Sequence, residues 1–177
     1  FNSYMSKKII ITGGLGYIGT ELCKLYSGVS WHHKIKVIDN RFISERVNQI
    51  RNWNMDFIQG NILDKDFINK HFKDADVVHH LAGITSVPRT KSESSVEKDK
   101  EIRTVGVEGT KNILDAISEK CKIIFPSTHV VYEGIDKVKT DIKESDETKP
   151  ILSYSLSKAI NEKQLKDSGK NYVILRL

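Results

Sequence analysis

Cysteine is scarce in this 177-residue sequence: the two present, Cys23 and Cys121, share no CxxC pair and no metal-ligand spacing. That argues against a disulfide framework or a metal site, and both thiols are expected to be reduced and structural in a cytoplasmic protein. No apolar run approaches the roughly 20 residues that a membrane-spanning helix needs. The opening residues FNSYMSKK also lack the apolar region of a secretory signal, so no membrane partner is expected. A basic block is missing as well. The 28 Lys and Arg residues stand against 23 Asp and Glu, net +5, but lie scattered along the chain. No nucleic-acid partner is therefore expected, and the surplus reads as solubility with a mild bias toward anionic ligands. Internal repeats are absent, and the one biased stretch is the charged segment from Glu133 to Pro150.

With 38% apolar residues the chain can bury a proper core. It reads as one domain over residues 5–177, with Phe1 to Tyr4 an N-terminal extension ahead of Met5. Short β-branched runs alternate with helical periods. Strands are expected at Ile9–Ile11, Ile35–Ile38, Met55–Gln59, Asp76–Leu81, Lys122–Pro126 and Tyr172–Leu177. Helices are expected at Tyr17–Ser27, around Arg46–Ile50, at Lys65–Phe72, along Val96–Ser118 and at Tyr154–Lys166, with Gly169 as the last one's C-cap. Gly106 and Gly109 inside the long helix suggest close packing on the sheet. Strand and helix alternating at this interval imply an α/β fold, a doubly wound parallel sheet covered on both faces. A closing helix after the last apolar strand is lacking, which reads as truncation.

The stretch TGGLGYIG, Thr12 to Gly19, joins the first strand to the first helix. Gly13 permits the turn, Gly16 lets a pyrophosphate approach the backbone, and Gly19 lets the helix lie close. The helix N-terminus then faces the phosphates with unpaired N–H groups. Twenty residues past Gly19, the second strand ends in Asp39, where a dinucleotide fold places the carboxylate that binds the ribose hydroxyls. A carboxylate there favours NAD over NADP, with nearby Arg41 leaving NADP as the lesser alternative.

Two later stretches carry hydroxyl groups. Ser127 to Tyr132 follows strand five at the sheet edge where ligands lie. In YSLSK, Tyr154 and Lys158 stand four apart and share a helix face. A nearby ammonium favours a phenolate and is expected to lower the tyrosine pKa from about 10. Such a phenolate, with Ser or Thr holding the substrate, could take a proton from a carbinol while hydride leaves for a nicotinamide. The histidines His32, His33, His79 and His80 read as structural. The latter two are adjacent in a strand, point to opposite faces and cannot chelate together.

From about Lys7 to Leu177 the sequence resembles the extended short-chain dehydrogenase/reductases, and within them the NAD-dependent nucleotide-sugar epimerases and dehydratases. TGGLGYIG resembles the family's TGxxGxxG loop. VIDN carries Asp39 and Asn40 at the adenosine-ribose position, and GNILD resembles a GDxxD that borders the adenine, with Asn61 replacing the first acid. HLAG resembles the HxAA or HxAG lining, PSTHVVYEG the SSxxVYG stretch, and YSLSK the YxxxK pair. The resemblance implies a Rossmann fold without its C-terminal substrate lobe. It implies NAD held by Gly13, Gly16, Tyr17, Ile18, Gly19, Asp39, Asn40, Asn61, Ile62, Leu81, Ala82, Gly83, Tyr154 and Lys158. It also implies catalysis by Thr128, Tyr154 as base and Lys158 as ribose anchor. The 4,6-dehydratases of the family carry Asp-Glu after the threonine, whereas this chain has His129 and Val130. A 4-epimerase acting on a nucleotide-diphosphate sugar is thus the expected function. A dehydrogenase/reductase, a dehydratase or a non-catalytic NAD-binding module is the alternative. A homodimer through the helices Val96–Ser118 and Tyr154–Lys166 is expected by analogy. One departure from the family is Gly106, where an asparagine is usual, and its loss is expected to loosen the helix locally.

Overall fold

In the computed structural model, which describes residues 5–88 and 90–177, six parallel strands form one sheet. The extension at Phe1 to Tyr4 lies outside the described residues. The strands are β1 (Lys8–Thr12), β2 (Lys34–Asp39), β3 (Asp56–Gln59), β4 (Val77–His80), β5 (Lys122–Ser127) and β6 (Asn171–Arg176). Their order across the sheet is β3-β2-β1-β4-β5-β6, the doubly wound arrangement. The topology reverses between β2 and β4, on either side of β1, and a crevice opens there at the carboxyl ends.

The helices are α1 (Tyr17–Ser27), α2 (Ser44–Asn52), α3 (Lys65–Phe72), α4 (Val96–Arg103), α5 (Gly109–Ala116) and α6 (Ser153–Asp167). Strand side chains alternate between the faces, so consecutive isoleucines of β1 serve two cores. Ile9 and Ile11 join Val37, Cys23, Val47 and Ile50 under α1 and α2. Ile10 joins Ile38, Val78, Ile123 and Phe125 beneath α3, α5 and α6. Ile11, Val37, Ile38 and Ile123 are wholly buried, which stabilises the fold by roughly 1.5–3 kcal/mol for each such side chain. Asp64 caps α3 by accepting from the Phe67 N–H, and Ser95 caps α4 through the Lys98 N–H. Among the described residues no helix is long and apolar enough to cross a membrane.

Three expectations need correction. The helix expected over Val96–Ser118 is not one α-helix. A π turn at Thr104–Glu108 separates α4 from α5, and the chain leaves helical geometry at Ile117. Gly106 and Gly109 do pack closely, but not on the sheet. A Cβ at Gly106 would overlap the Ser157 hydroxyl of α6, and one at Gly109 would overlap Ile62. The C-cap of α6 is Ser168. Gly169 stands one residue beyond it with φ +69°, where glycine carries no Cβ penalty.

Candidate active site

The crevice at the carboxyl ends of the strands is a cleft of about 1140 Å³. Its floor is the turn between β1 and α1. Gly13 has φ +66°, and a Cβ there would come within 2.8 Å of the Ala82 backbone, so the turn lies flat against the end of β4 only as glycine. At Gly19 a Cβ would stand 2.5 Å from the Gly13 carbonyl. Gly16 differs: its Cβ would meet only the Gly13 carbonyl at 3.1 Å and Arg41 Nη2 at 4.0 Å. Gly16 is the N-cap of α1, has no side-chain cap bond, and is followed by no acidic residue in the first turn. The first N–H groups of α1 are thus left to the cleft that Gly16, Tyr17, Ile18 and Gly19 line. A pyrophosphate fits this cradle, because backbone donors face it and the glycines put no side chain of their own in its way.

Asp39 ends β2 at the rim and is almost wholly buried. Its Oδ2 accepts from the Leu15 N–H at 3.1 Å and from Arg41 Nη2 at 3.2 Å, and its Oδ1 from the Arg41 N–H at 3.0 Å and Nε at 3.1 Å. Asn40, Asn61 and Ile62 line the same end of the cleft, and Asn61 Oδ1 accepts from the Leu63 N–H in its own turn. Leu81, Ala82 and Gly83 line it beyond β4. A Cβ at Gly83 would meet nothing within 4 Å.

Thr128, Tyr154 and Lys158 reach the cleft from the opposite side. Thr128 is the N-cap of a single turn at His129–Tyr132, and its Oγ1 accepts from the Val130 N–H at 3.3 Å, leaving its own O–H free to donate. Lys158 Nζ donates to the Pro126 carbonyl at 2.9 Å, over the Phe125 ring and 5.8 Å from the centre of the Tyr154 ring. Burial pushes the Lys158 ammonium down to about 8. Burial also raises the Tyr154 phenol above its ordinary value, the reverse of the expected lowering. The reason is geometric: the ammonium is engaged with Pro126 and Phe125, so desolvation of the phenol dominates.

The start of α6 is held from a distance. Glu133 Oε1 accepts from the Ile151 N–H at 2.6 Å, the Leu152 N–H at 2.7 Å and the Ser155 hydroxyl. At its far side Glu162 forms a bidentate pair with Arg176, at 2.9 and 2.6 Å, and accepts from Ser127 Oγ at 2.6 Å. Residues 128 and 154 are thereby fixed by neighbours that the sequence pattern did not single out. Thr12 and Arg46 were not predicted as site residues either, and Arg41 was noted only as a charge near Asp39. Arg41 and Arg46 line the cleft, and Thr12 Oγ1 accepts from the Ala82 N–H at 3.0 Å.

The histidines sit apart. His79 Nε2 faces Tyr26 OH at 2.7 Å on the α1 face, while His80 lies on the other face between Thr12 and Thr110. His33 Nδ1 accepts from the Lys7 N–H, and His32 stacks on Trp31. His129 donates through both Nδ1 and its backbone N–H to the Leu177 carbonyl, each at 2.8 Å. Both cysteines are buried and free, and burial pushes Cys23 up to about 12 and Cys121 up to about 11.

Comparisons with known proteins agree with this fold. A UDP-N-acetyl-alpha-D-glucosaminuronate decarboxylase of Bacillus cytotoxicus is 35% identical over 130 residues, 72% of this chain and 38% of that protein. The solved UDP-N-acetylglucosamine 4-epimerase of Methanobrevibacter ruminantium, in complex with UDP-N-acetylmuramic acid, is 30% identical. It superposes with a TM-score of 0.77 over 97% of this chain and 54% of its own. The UDP-glucose 4-epimerase of Brucella ovis, solved with NAD, is 28% identical with a TM-score of 0.76 over 97% of this chain and 51% of its own. The chain therefore spans about half the length of the solved proteins it matches. Residues 10–174 match the model of the 3-beta hydroxysteroid dehydrogenase/isomerase family, and the chain belongs to that family, among the extended short-chain dehydrogenase/reductases.

Proposed function

We propose that this chain is the cofactor-binding part of an NAD-dependent nucleotide-sugar 4-epimerase that works through a keto-sugar intermediate. The observation that carries this reading is convergence: Thr128, Tyr154 and Lys158 face the same cleft as the uncapped, glycine-lined start of α1. Two similar solved proteins are 4-epimerases, one of them holding NAD. In this reading Gly13, Gly16 and the first N–H groups of α1 hold the pyrophosphate, and Asp39 with Asn40 holds the adenosine ribose. Asn61 and Ile62 border the adenine, and Leu81, Ala82 and Gly83 line the cofactor's flank.

The chemistry that NAD supplies when bound is acceptance of hydride from a sugar carbinol carbon and its return to the keto carbon. Tyr154 takes the hydroxyl proton from that carbinol as a phenolate, and Thr128 donates its free O–H to the same sugar oxygen. Pro126 occupies one of the three N–H groups of Lys158, which leaves two for ribose hydroxyls. Burial opposes the phenolate in the ligand-free cleft, and the Lys158 ammonium, 5.8 Å from the centre of the Tyr154 ring, favours it. Dehydration is disfavoured because His129 and Val130 follow Thr128 where the resemblance would place an Asp-Glu pair in a dehydratase, and the His129 Nδ1 and backbone N–H both go to the Leu177 carbonyl.

The 35% identity to a decarboxylase supports a second reading. A 4-keto sugar bearing a carboxylate on the adjacent carbon is a β-keto acid and can lose CO2, so the same oxidation by Thr128 and Tyr154 would serve it. Product analysis separates the two. The intact protein with NAD is incubated with UDP-glucose, UDP-N-acetylglucosamine and the corresponding UDP-uronates, and products are followed by NMR. A 4-epimer is the expected product; release of CO2 from a uronate would favour the second reading. Tyr154→Phe is expected to cut turnover by at least about 100-fold while NAD binding stays unchanged. Undiminished turnover in that variant would overturn the assignment.

A further inference from the structure

The carboxylate of Asp39 is full. An ionised carboxylate offers about four lone-pair positions. Here the Leu15 N–H, the Arg41 N–H, Arg41 Nε and Arg41 Nη2 take them all, at 3.0 to 3.2 Å. No acceptor position is left for a ribose hydroxyl while the Arg41 side chain stays in place. The Asp39 side chain is 3% exposed and cannot turn away, whereas that of Arg41 is 54% exposed and can. Swinging the guanidinium out frees two acceptor positions, one on each oxygen, the number that the 2′- and 3′-hydroxyls of a ribose require. The released guanidinium remains at the mouth of the same corner, where Arg46 also lines the cleft. One carboxylate and two guanidinium groups leave that corner with a net positive charge.

Resting on the cofactor reading above, we propose that Arg41 is a latch on Asp39 that sets cofactor choice, so that this chain takes a 2′-phosphorylated dinucleotide, NADP, as well as NAD. For NAD the latch costs affinity, because two Arg41 bonds to Asp39 must break before the ribose can bind. For NADP the same side chain is a gain. Its planar fork matches a phosphate and can leave Asp39 for it, and Arg46 offsets the repulsion that a lone carboxylate would exert. Asp39 alone would give strict NAD preference; Asp39 latched by Arg41 does not.

The test is direct binding to the intact protein, read by intrinsic fluorescence and calorimetry, with NAD and NADP as probes and with 5′-AMP and 2′,5′-ADP as fragments confined to the adenosine corner. In the unsubstituted protein NAD and NADP are expected to bind within about tenfold of each other, with 2′,5′-ADP tighter than 5′-AMP at low salt and the advantage shrinking as salt rises. Arg41→Ala is expected to bind NAD at least as tightly as before and NADP about tenfold or more weakly. Arg41→Lys keeps the charge but not the fork and should fall between. NAD binding with NADP more than about 100-fold weaker, and a ratio unmoved by Arg41→Ala, would overturn the proposal while leaving the NAD reading intact. Failure of the folded protein to bind either dinucleotide would overturn both.

Discussion

Replacing Gly16 with alanine puts one methyl group at the N-cap of α1, on the wall that the pyrophosphate is expected to touch. The backbone there, φ −73° and ψ 177°, is open to any residue, so no conformational strain arises. Inside the protein the new Cβ would press on the Gly13 carbonyl at 3.1 Å, a contact relieved by a shift of a few tenths of an ångström, and touch Arg41 Nη2 at an ordinary 4.0 Å. Alanine is a poorer N-cap than glycine by about 1 kcal/mol at most, and lost freedom of the unfolded chain returns about 0.4–1 kcal/mol. Stability without ligand should therefore change by less than about 1 kcal/mol. The bound state is another matter. A methyl group in the path of the phosphate keeps its oxygens from the first N–H groups of α1, and each charge-assisted bond forgone is worth about 1.5–3 kcal/mol. One such bond weakens NAD binding by roughly ten- to over a hundredfold. Urea unfolding without ligand and a fluorescence titration with NAD read the two effects separately. Gly19→Ala is the control. Its Cβ would lie 2.5 Å from the Gly13 carbonyl and 2.7 Å from Gly14 Cα, backbone atoms that no rotamer change can move, so it should lose about 1–3 kcal/mol before any ligand is added. A Gly16→Ala protein that binds NAD within threefold of the original would refute the cradle.

Glu133→Ala should cost about 1–2 kcal/mol by urea unfolding, because the Ile151 and Leu152 N–H groups and the Ser155 hydroxyl lose their common acceptor. Burial pushes the Glu133 carboxyl up, but the bonds from Ser155, Leu152 and Ile151 outweigh it and hold the group below its ordinary 4.5. Its contribution is thus fully present above pH 4.5 and fades as pH falls through the lower folded value, so Glu133→Gln should flatten that part of the acid limb of a stability profile. Glu162→Ala should cost roughly 3–5 kcal/mol in thermal unfolding, since it removes the one carboxylate paired with the Arg176 guanidinium, 13% exposed, and leaves that charge only the Tyr132 hydroxyl and the Glu144 carbonyl. A loss below about 1 kcal/mol would show that the pair is not buried in solution.

The strands themselves and the cofactor end of the cleft were legible in the sequence because both depend on local signals, whereas the order of the strands across the sheet is a matter of long-range pairing. Alternating β-branched residues mark a strand, and glycines at positions 13, 16 and 19 mark a turn whose next carboxylate falls at a fixed distance. The fifteen residues singled out for cofactor or catalysis all line one cleft, since each lies at a strand's carboxyl end or on the first turns of α1 and α6. What escaped depends on partners far away in the chain. Glu133 caps a helix whose first residue is twenty positions later, and nothing near Ser153 announces that cap. Arg41 was visible as a charge, but its occupation of three of the four positions on Asp39 is a matter of side-chain geometry. The π turn was missed for a related reason: the carbonyls of Gly106 and Val107 within it accept from Asn161 and Gln164 of α6, partners far away in the chain.

The α6 contacts also bear on Gly106, where the resemblance led to the expectation of an asparagine. The Gly106 carbonyl can only accept, so the Thr110 hydroxyl, at 2.6 Å, must be donating to it, and Asn161 Nδ2 donates to the same oxygen at 3.0 Å. With its proton committed, Thr110 Oγ1 can only accept from His80 Nε2 at 2.9 Å and from Asn161 at 3.2 Å. His80 then carries its single proton on Nε2, and its Nδ1 accepts from Thr12, whose oxygen already receives the Ala82 N–H. Burial first, and the charge of Lys158 second, push His80 down to about 3, so the ring stays neutral and this direction of bonds is kept throughout the ordinary pH range. The chain of bonds runs without a break from the end of β1, beside the glycine turn, to Asn161, three residues past Lys158. Position 106 thus lies in a π turn, and its carbonyl is held by two donors. An amide still reaches it, supplied from the facing helix by Asn161, and the Ser157 hydroxyl fills the space that a side chain at 106 would need. The glycine and the two α6 residues make one arrangement, in which the floor of the cofactor cradle and the helix bearing Tyr154 are held in register through a neutral, buried histidine.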